Sequence, residues 1–152
     1  MEFNLSIPID RSRNVVFTFL REVENHPQEE KSKVLLIEKI THGPVNVGTR
    51  YREIVQMFPL IRGEMISEVT RYEPNECIQL TWQGGGIEGV LTYYFEYHNG
   101  GTRLILHETV TLKGVMRLVK PMIQRMFHNA LVKRLQGIKQ VLESSIANEL
   151  KD

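Results

Sequence analysis

Residues 122–150, MIQRMFHNALVKRLQGIKQVLESSIANEL, decide how this chain folds. They follow Pro121 and are long enough for about seven helical turns. On a helical wheel centred on Ile123, the residues Val119, Phe127, Ala130, Ile138, Val141 and Leu142 fall on one side, with Met122 and Met126 along its edge. The opposite side carries Arg125, His128, Asn129, Lys133, Gln136, Lys139, Gln140 and Glu143. A helix with this division needs a large apolar surface to cover its stripe, and the preceding residues read as the sheet that provides it.

Residues 2–9 alternate as a half-buried strand, with Phe3, Leu5, Ile7 and Ile9 on one face. Asp10 or Ser12 can cap a short helix whose stripe is Val15, Val16, Phe19, Leu20 and Val23. Asn25-His26-Pro27 ends it, and Gln28–Ser32 has room for one further turn. Six more strands are expected, over 34–40, 49–58, 61–72, 77–82, 87–98 and 102–112. The connections include the glycine-rich 83–86 and the hairpin signal Asn99-Gly100-Gly101. The expected architecture is α+β, in one domain over 1–152: a seven-stranded antiparallel sheet curled around the long C-terminal helix, with two short helices after the first strand.

Strand alternation then sorts the side chains. Tyr51, Val55 and Met57 point inward, as do Ile61, Met65 and Val69; so do Ile78, Leu80 and Trp82, then Leu91, Tyr93 and Phe95, then Leu104, Leu106 and Val110. The other face carries Arg50, Arg52, Arg62, Glu64, Glu68, Gln79, Thr92, Glu96, Arg103 and His107, which water can satisfy. The same parity turns Glu53 and Glu108 inward, and the wheel puts Arg134 near the middle of the apolar side of the helix. Lone buried charges cost on the order of several kcal/mol, so these groups are expected to pair or to face a wet cleft. The competing reading is that a strand twist or bulge turns these groups to solvent, or that Arg134 snorkels.

The overall charge of +1 hides an asymmetry. Residues 1–112 hold 11 Lys/Arg against 15 Asp/Glu, a net of 11 − 15 = −4, whereas residues 113–142 hold seven Lys/Arg and no acid. A basic helix suits anionic lipid, or is simply a solvated face over an acidic sheet. Cys77 is the only cysteine, which excludes an internal disulfide and suits a reducing cytoplasm. MEFNLSIPID lacks a basic segment followed by an apolar run, so it does not read as a signal peptide, and the expected location is cytoplasmic. The five histidines are scattered, so no metal site is expected. Gly84-Gly85-Gly86 lacks the following Gly-Lys-Ser/Thr of a phosphate loop, no serine sits at a nucleophile elbow, and no cofactor or catalytic nucleophile is expected.

Several short motifs, in their order and spacing, carry a resemblance across nearly the whole chain. These are Ile7-Pro8-Ile9-Asp10, Val47-Gly48-Thr49-Arg50-Tyr51, Glu68-Val69 with Glu73-Pro74, Tyr94-Phe95-Glu96, Gly100-Gly101-Thr102-Arg103, and the last helix with Leu135 and Leu142-Glu143. The chain resembles the helix-grip, START and Bet v 1-like superfamily, and within it the polyketide cyclase/dehydrase and lipid-transport group. It departs from that pattern at Gln28-Glu29-Glu30, where relatives often carry tryptophan. The resemblance implies an apolar cavity between sheet and helix.

The candidate lining is Tyr51, Glu53, Val55, Met57, Met65, Trp82, Leu91, Tyr93, Leu106, Glu108, Met122, Met126, Phe127, Ala130, Arg134 and Ile138. The expected ligand is small and hydrophobic or amphipathic, with its polar end held by Glu53, Glu108 and Arg134. Two alternatives stay open. One is a cyclase or dehydratase with Glu108 or Glu53 as base and Tyr93 or Arg134 steadying an enolate. The other is a membrane- or partner-docking module using the basic helix. Nucleic acid is not expected as a partner, a weak anionic membrane contact is, and the chain is expected to be a monomer or homodimer.

Overall fold

A computed structural model of the chain describes residues 1–25, 34–58 and 60–149, and their side chains except those of 25, 57, 58, 61 and 145–149. The strands are β1 (Glu2–Ile9), β2 (Val34–Lys39), β3 (Arg50–Phe58), β4 (Ile61–Glu73), β5 (Cys77–Gly84), β6 (Ile87–His98) and β7 (Gly101–Leu112). They form one antiparallel sheet in the order β1-β7-β6-β5-β4-β3-β2. Helix α1 (Arg13–Arg21) follows β1 and runs into a 3-10 turn over Val23–Asn25. A second 3-10 segment, Gly114–Val119, leads into the long helix α2 (Lys120–Glu149). This is the helix-grip arrangement, and its seven strands lie where the sequence places them. The extra turn expected at Gln28–Ser32 falls outside the described residues.

Local chemistry accounts for the register. Asn99 and Gly100 have φ of 47° and 81°, the left-handed pair that a two-residue hairpin requires, so β6 and β7 pair without slippage from Ile87↔Leu112 to His98↔Gly101. Ser12 precedes α1 in extended geometry but makes no side-chain cap, and the helix is held instead by burying Val16, Phe17 and Leu20. Phe17, absent from the expected stripe, meets Tyr72 and Phe95 edge-on, with ring centroids 5.4 and 5.3 Å away. A register shift between Val69 and Arg71 leaves Thr70 extra in β4. Beyond it Tyr72 takes up the inward parity that Val69 held before it, which a strict period of two cannot foresee.

Two groups of residues depart from the sequence reading. Thr92, expected on the wet face, is buried, because Gln79 and His107 flank it on the neighbouring strands and Gln79 Nε2 donates to its Oγ1 at 3.0 Å. On α2 the buried side chains are Ile123, Leu131, Leu135, Ile138 and Leu142, with Phe127 half-buried. That stripe is rotated by roughly 60° from the Ile123-centred wheel at 3.6 residues per turn. Burying Leu131 and Leu135 removes more apolar area from water than burying Ala130 and Val141 would, which favours rolling the helix toward the leucines. Ala130, Met122, Met126 and Val141 are consequently exposed.

The helix approaches the sheet unevenly. Its backbone lies closest to β1, and comes only sparsely near the central strands. Lys139 Nζ donates to the Pro8 carbonyl at 2.5 Å and to Glu143 Oε1 at 2.7 Å, while the Asp10 amide donates to the same Glu143 oxygen at 2.9 Å. These bonds clamp the second half of α2 to the end of β1. The space between the helix and strands β3–β6 is spanned by side chains.

Candidate functional site

Those spanning side chains are polar as well as apolar. Glu53 on β3 stands opposite Met65 on β4, and Ser67 lies between Tyr51 and Trp82 on the adjacent strands. Trp82 stands opposite Gly89, Leu91 opposite Glu108, and Tyr93 opposite Leu106. A Cβ at position 89 would come within 2.4 Å of the indole, so glycine there is what lets Trp82 lie flat on β6. The indole Nε1 donates to Glu108 Oε1 at 2.9 Å. Phe127 of α2 stacks on the indole at 5.9 Å, and its ring also stacks with Phe3 at 6.2 Å. One helix side chain therefore closes an aromatic layer reaching from β5 to the β1 edge.

Beyond that layer Arg134 enters the interior. Glu108 is only 3% exposed, and its Oε2 has no hydrogen-bond partner among the described residues. Burial raises the Glu108 carboxyl above the usual carboxylate range, opposed by Arg134 and by the Trp82 hydrogen bond. Glu53 is raised for the same reason, opposed by Arg134 and Ser67. Tyr93 is buried at 1% exposure and its hydroxyl is raised by burial, with Arg134 drawing it down. Arg134 retains some accessible surface, yet burial is the largest influence on its guanidinium; Tyr93, Glu108 and Glu53 together outweigh it and hold the charge. No ion pair closes between Arg134 and either carboxylate among the described residues, so the three charges share one interior and act through space.

The remaining candidates separate clearly. Leu91, Leu106 and Ile138 are buried, while Val55, Met65, Trp82 and Phe127 are partly buried. Tyr51 is fully buried, but its hydroxyl neighbours the Val23 backbone and the acids Glu22 and Glu24 at the α1 end, away from Arg134. Met57 has its side chain outside the described residues. Met122, Met126 and Ala130 are exposed and do not line the interior. Ser67 was not singled out from the sequence, although it shares the parity of Met65 and Val69; only the register puts it beside Glu53.

Two surface concavities lie elsewhere. A groove of about 350 Å³ on the outer face is lined by Arg50, Glu68, Thr81, Gln83, Glu88 and Thr109, with Ser67, Trp82 and Gly89 also bordering it. A shallow hollow of about 630 Å³ lies between β1 and α2, against Phe3, Leu5, Arg125 and His128. Among the described residues no group of three or more potential ligands could hold a metal ion. No helix among them is long and apolar enough to cross a membrane.

Residues 1–143 match the family described as polyketide cyclase/dehydrase and lipid transport. The chain belongs to this family. Among solved structures, the Zhui aromatase/cyclase from Streptomyces sp. R1128 superposes with a TM-score of 0.79 at 11% identity, covering 96% of this chain and 95% of that one. TTHA0849 from Thermus thermophilus gives 0.78 at 16% identity, covering 95% and 99%. Ara h 8.0201 gives 0.72 at 16% identity, covering 95% and 98%. At such identities the likeness is one of fold. No curated protein matches the sequence.

The raised carboxyls make stability depend on pH in a definite direction. An acid whose folded pKa lies above its unfolded value stabilises the fold below the unfolded pKa, and that contribution is lost as pH rises through the folded pKa. Stability from Glu53 and Glu108 therefore declines upward from about pH 4.5. Glu108→Gln keeps an acceptor for Trp82 and removes the titration. It is expected to stabilise the protein at pH 8 by on the order of 1 kcal/mol, a rise in melting temperature of about 2–4 °C, and to flatten the decline. Thermal melts of both proteins between pH 5 and pH 8 check this; a Gln variant less stable than wild type at pH 8 contradicts it.

Proposed function

We propose that the protein holds a small amphipathic molecule, lipid- or polyketide-like, between the sheet and α2, without catalysing a reaction on it. One observation carries this reading: a buried acceptor, Glu108 Oε2, has no hydrogen-bond partner among the described residues, beside Arg134 and Tyr93 and under a helix whose backbone stays off the central strands. A buried polar atom without a partner costs about 1–3 kcal/mol, which a ligand hydroxyl or amide would recover. Leu91, Leu106, Ile138 and the Trp82–Phe127 stack offer the apolar body of such a ligand its contacts. About ten carbons at ~0.8 kcal/mol per methylene give useful affinity with no covalent chemistry. The family supports a ligand-binding or cyclase-like module of this kind.

A second reading, cyclisation or dehydration of a poly-keto chain, is favoured by the two carboxyls that burial pushes toward their neutral form. Glu53, as its carboxylate, would take the α-proton, Arg134 and Tyr93 would hold the enolate oxygen, and a neutral Glu108 would protonate the departing hydroxyl. The two readings part on one comparison. The binding reading expects the purified protein to carry a co-purified small molecule in native mass spectrometry. It also expects a fluorescent fatty acid to bind, and Ile138→Trp, which fills the interior, to lower that affinity at least tenfold. A catalyst instead loses turnover of a poly-keto thioester on Glu108→Gln while retaining affinity. Unchanged fatty-acid affinity in a folded Ile138→Trp protein overturns the binding site proposed here.

A further inference from the structure

We propose that the 3-10 segment Gly114–Val119 and the first turns of α2 dock this protein on an anionic membrane surface. Val115 is 78% exposed, Leu118 84% and Met122 54%, although the stretch has an inward side of its own in Met116, Val119 and Ile123. Residues three apart eclipse on a 3-10 helix, and residues four apart share a face of an α-helix. Val115, Leu118 and Met122 therefore form one outward apolar stripe crossing the junction of the two helices. Lys113, Arg117, Lys120 and Arg125 flank it, and no acid occurs between 113 and 142. Lys113 meets Glu88 at 2.5 Å and Arg117 Nε donates to the Leu112 carbonyl at 3.1 Å; Lys120 and Arg125 are exposed.

A second apolar tip stands at the same end of the sheet. The Lys113 amide donates to the Gly86 carbonyl at 2.8 Å, which ties the 3-10 segment to the β5–β6 turn. Met65 of β4 lies against Gly84 beside that turn, and Leu60, just before the start of β4 at Ile61, is 96% exposed. Branched aliphatic groups offer nucleic acid neither stacking nor hydrogen bonds. A bilayer interface takes both components, with the aliphatic groups entering the acyl boundary and the cations staying at the phosphates. The inference stands on surface residues and does not rest on a ligand occupying the interior.

The test is sedimentation of the full chain with vesicles of phosphatidylcholine containing about 30% phosphatidylglycerol, against phosphatidylcholine alone. The expected result is pelleting with the anionic vesicles only, and release in about 0.5 M NaCl, where screening shortens to on the order of 4 Å. Val115→Asp with Leu118→Asp is expected to lower the partition at least tenfold, and Arg117→Glu with Lys120→Glu by on the order of a hundredfold. Lys133→Glu, further along the helix, should change it less than about threefold. All these side chains lie on the surface, so circular dichroism should show an unchanged fold. Absence of binding, equal binding to neutral vesicles, or retention by the Asp pair overturns the proposal. So does a self-association that Leu118→Asp abolishes, since the stripe would then belong to a second copy of the chain.

Discussion

Trp82→Ala is expected to cost about 3–5 kcal/mol of folding stability, the range for truncating a large packed aromatic. The indole lies over Gly89, stacks on Phe127 at 5.9 Å and donates to Glu108 at 2.9 Å. Alanine removes all three contacts and leaves both Glu108 oxygens without a donor. Trp82→Phe keeps the stacking surface and loses the hydrogen bond, so it should cost clearly less, about 1–2 kcal/mol. Denaturant unfolding of the two variants measures the difference. Equal losses would mean that the contact with Glu108 carries the effect and the stack with Phe127 contributes nothing. Trp82 is also the only tryptophan, so its fluorescence reports directly on this layer and on anything that enters beside it.

Arg134→Met should have the second-largest effect, and a pH-dependent one. Removing the cation leaves Glu53 and Glu108 in one interior without its through-space attraction, a loss of about 1–3 kcal/mol, smaller than that of breaking a closed buried pair. Each carboxyl can escape that cost by taking up a proton, so its folded pKa rises further in the variant. Raised acid pKa values lose stability as pH rises, so the deficit of Arg134→Met should be full near pH 8 and should shrink toward pH 5. Unfolding curves for wild type and variant at both values check the sign. A deficit independent of pH would place the guanidinium outside the influence of both carboxyls. Glu108→Gln in the Arg134→Met background should recover part of the loss at pH 8, since the two changes act on one charge cluster.

Much of this was legible in the residues. Alternation placed Glu53, Tyr93 and Glu108 on the inner face because a strand offers only two sides, and a hydrophobic run on one of them labels it. The wheel placed Arg134 within the helix's covered side for the analogous reason, and rolling that side toward Leu131 and Leu135 kept Arg134 inside. Ser67, Tyr72 and the Trp82–Glu108 bond were not legible. Ser67 and the bond depend on which residues stand opposite across strands, and Tyr72 depends on the bulge at Thr70.

By itself the sequence determined the element order, the hairpin at Asn99-Gly100 and the strand faces up to the bulge at Thr70, because these follow from local backbone preference and short periods. It also determined that the last helix needed a partner surface and that its first half carried only positive charge. The tertiary structure alone decided which part of a broad apolar arc the helix would bury. Met122, Met126, Ala130 and Val141 were left outside because the leucine side gains more contact against the sheet. Packing likewise held the α2 backbone near β1 while leaving Arg134 and two carboxyls to share the gap without closing an ion pair among the described residues. A period specifies which residues face the same way; what they meet there depends on the fit between two surfaces far apart in the chain.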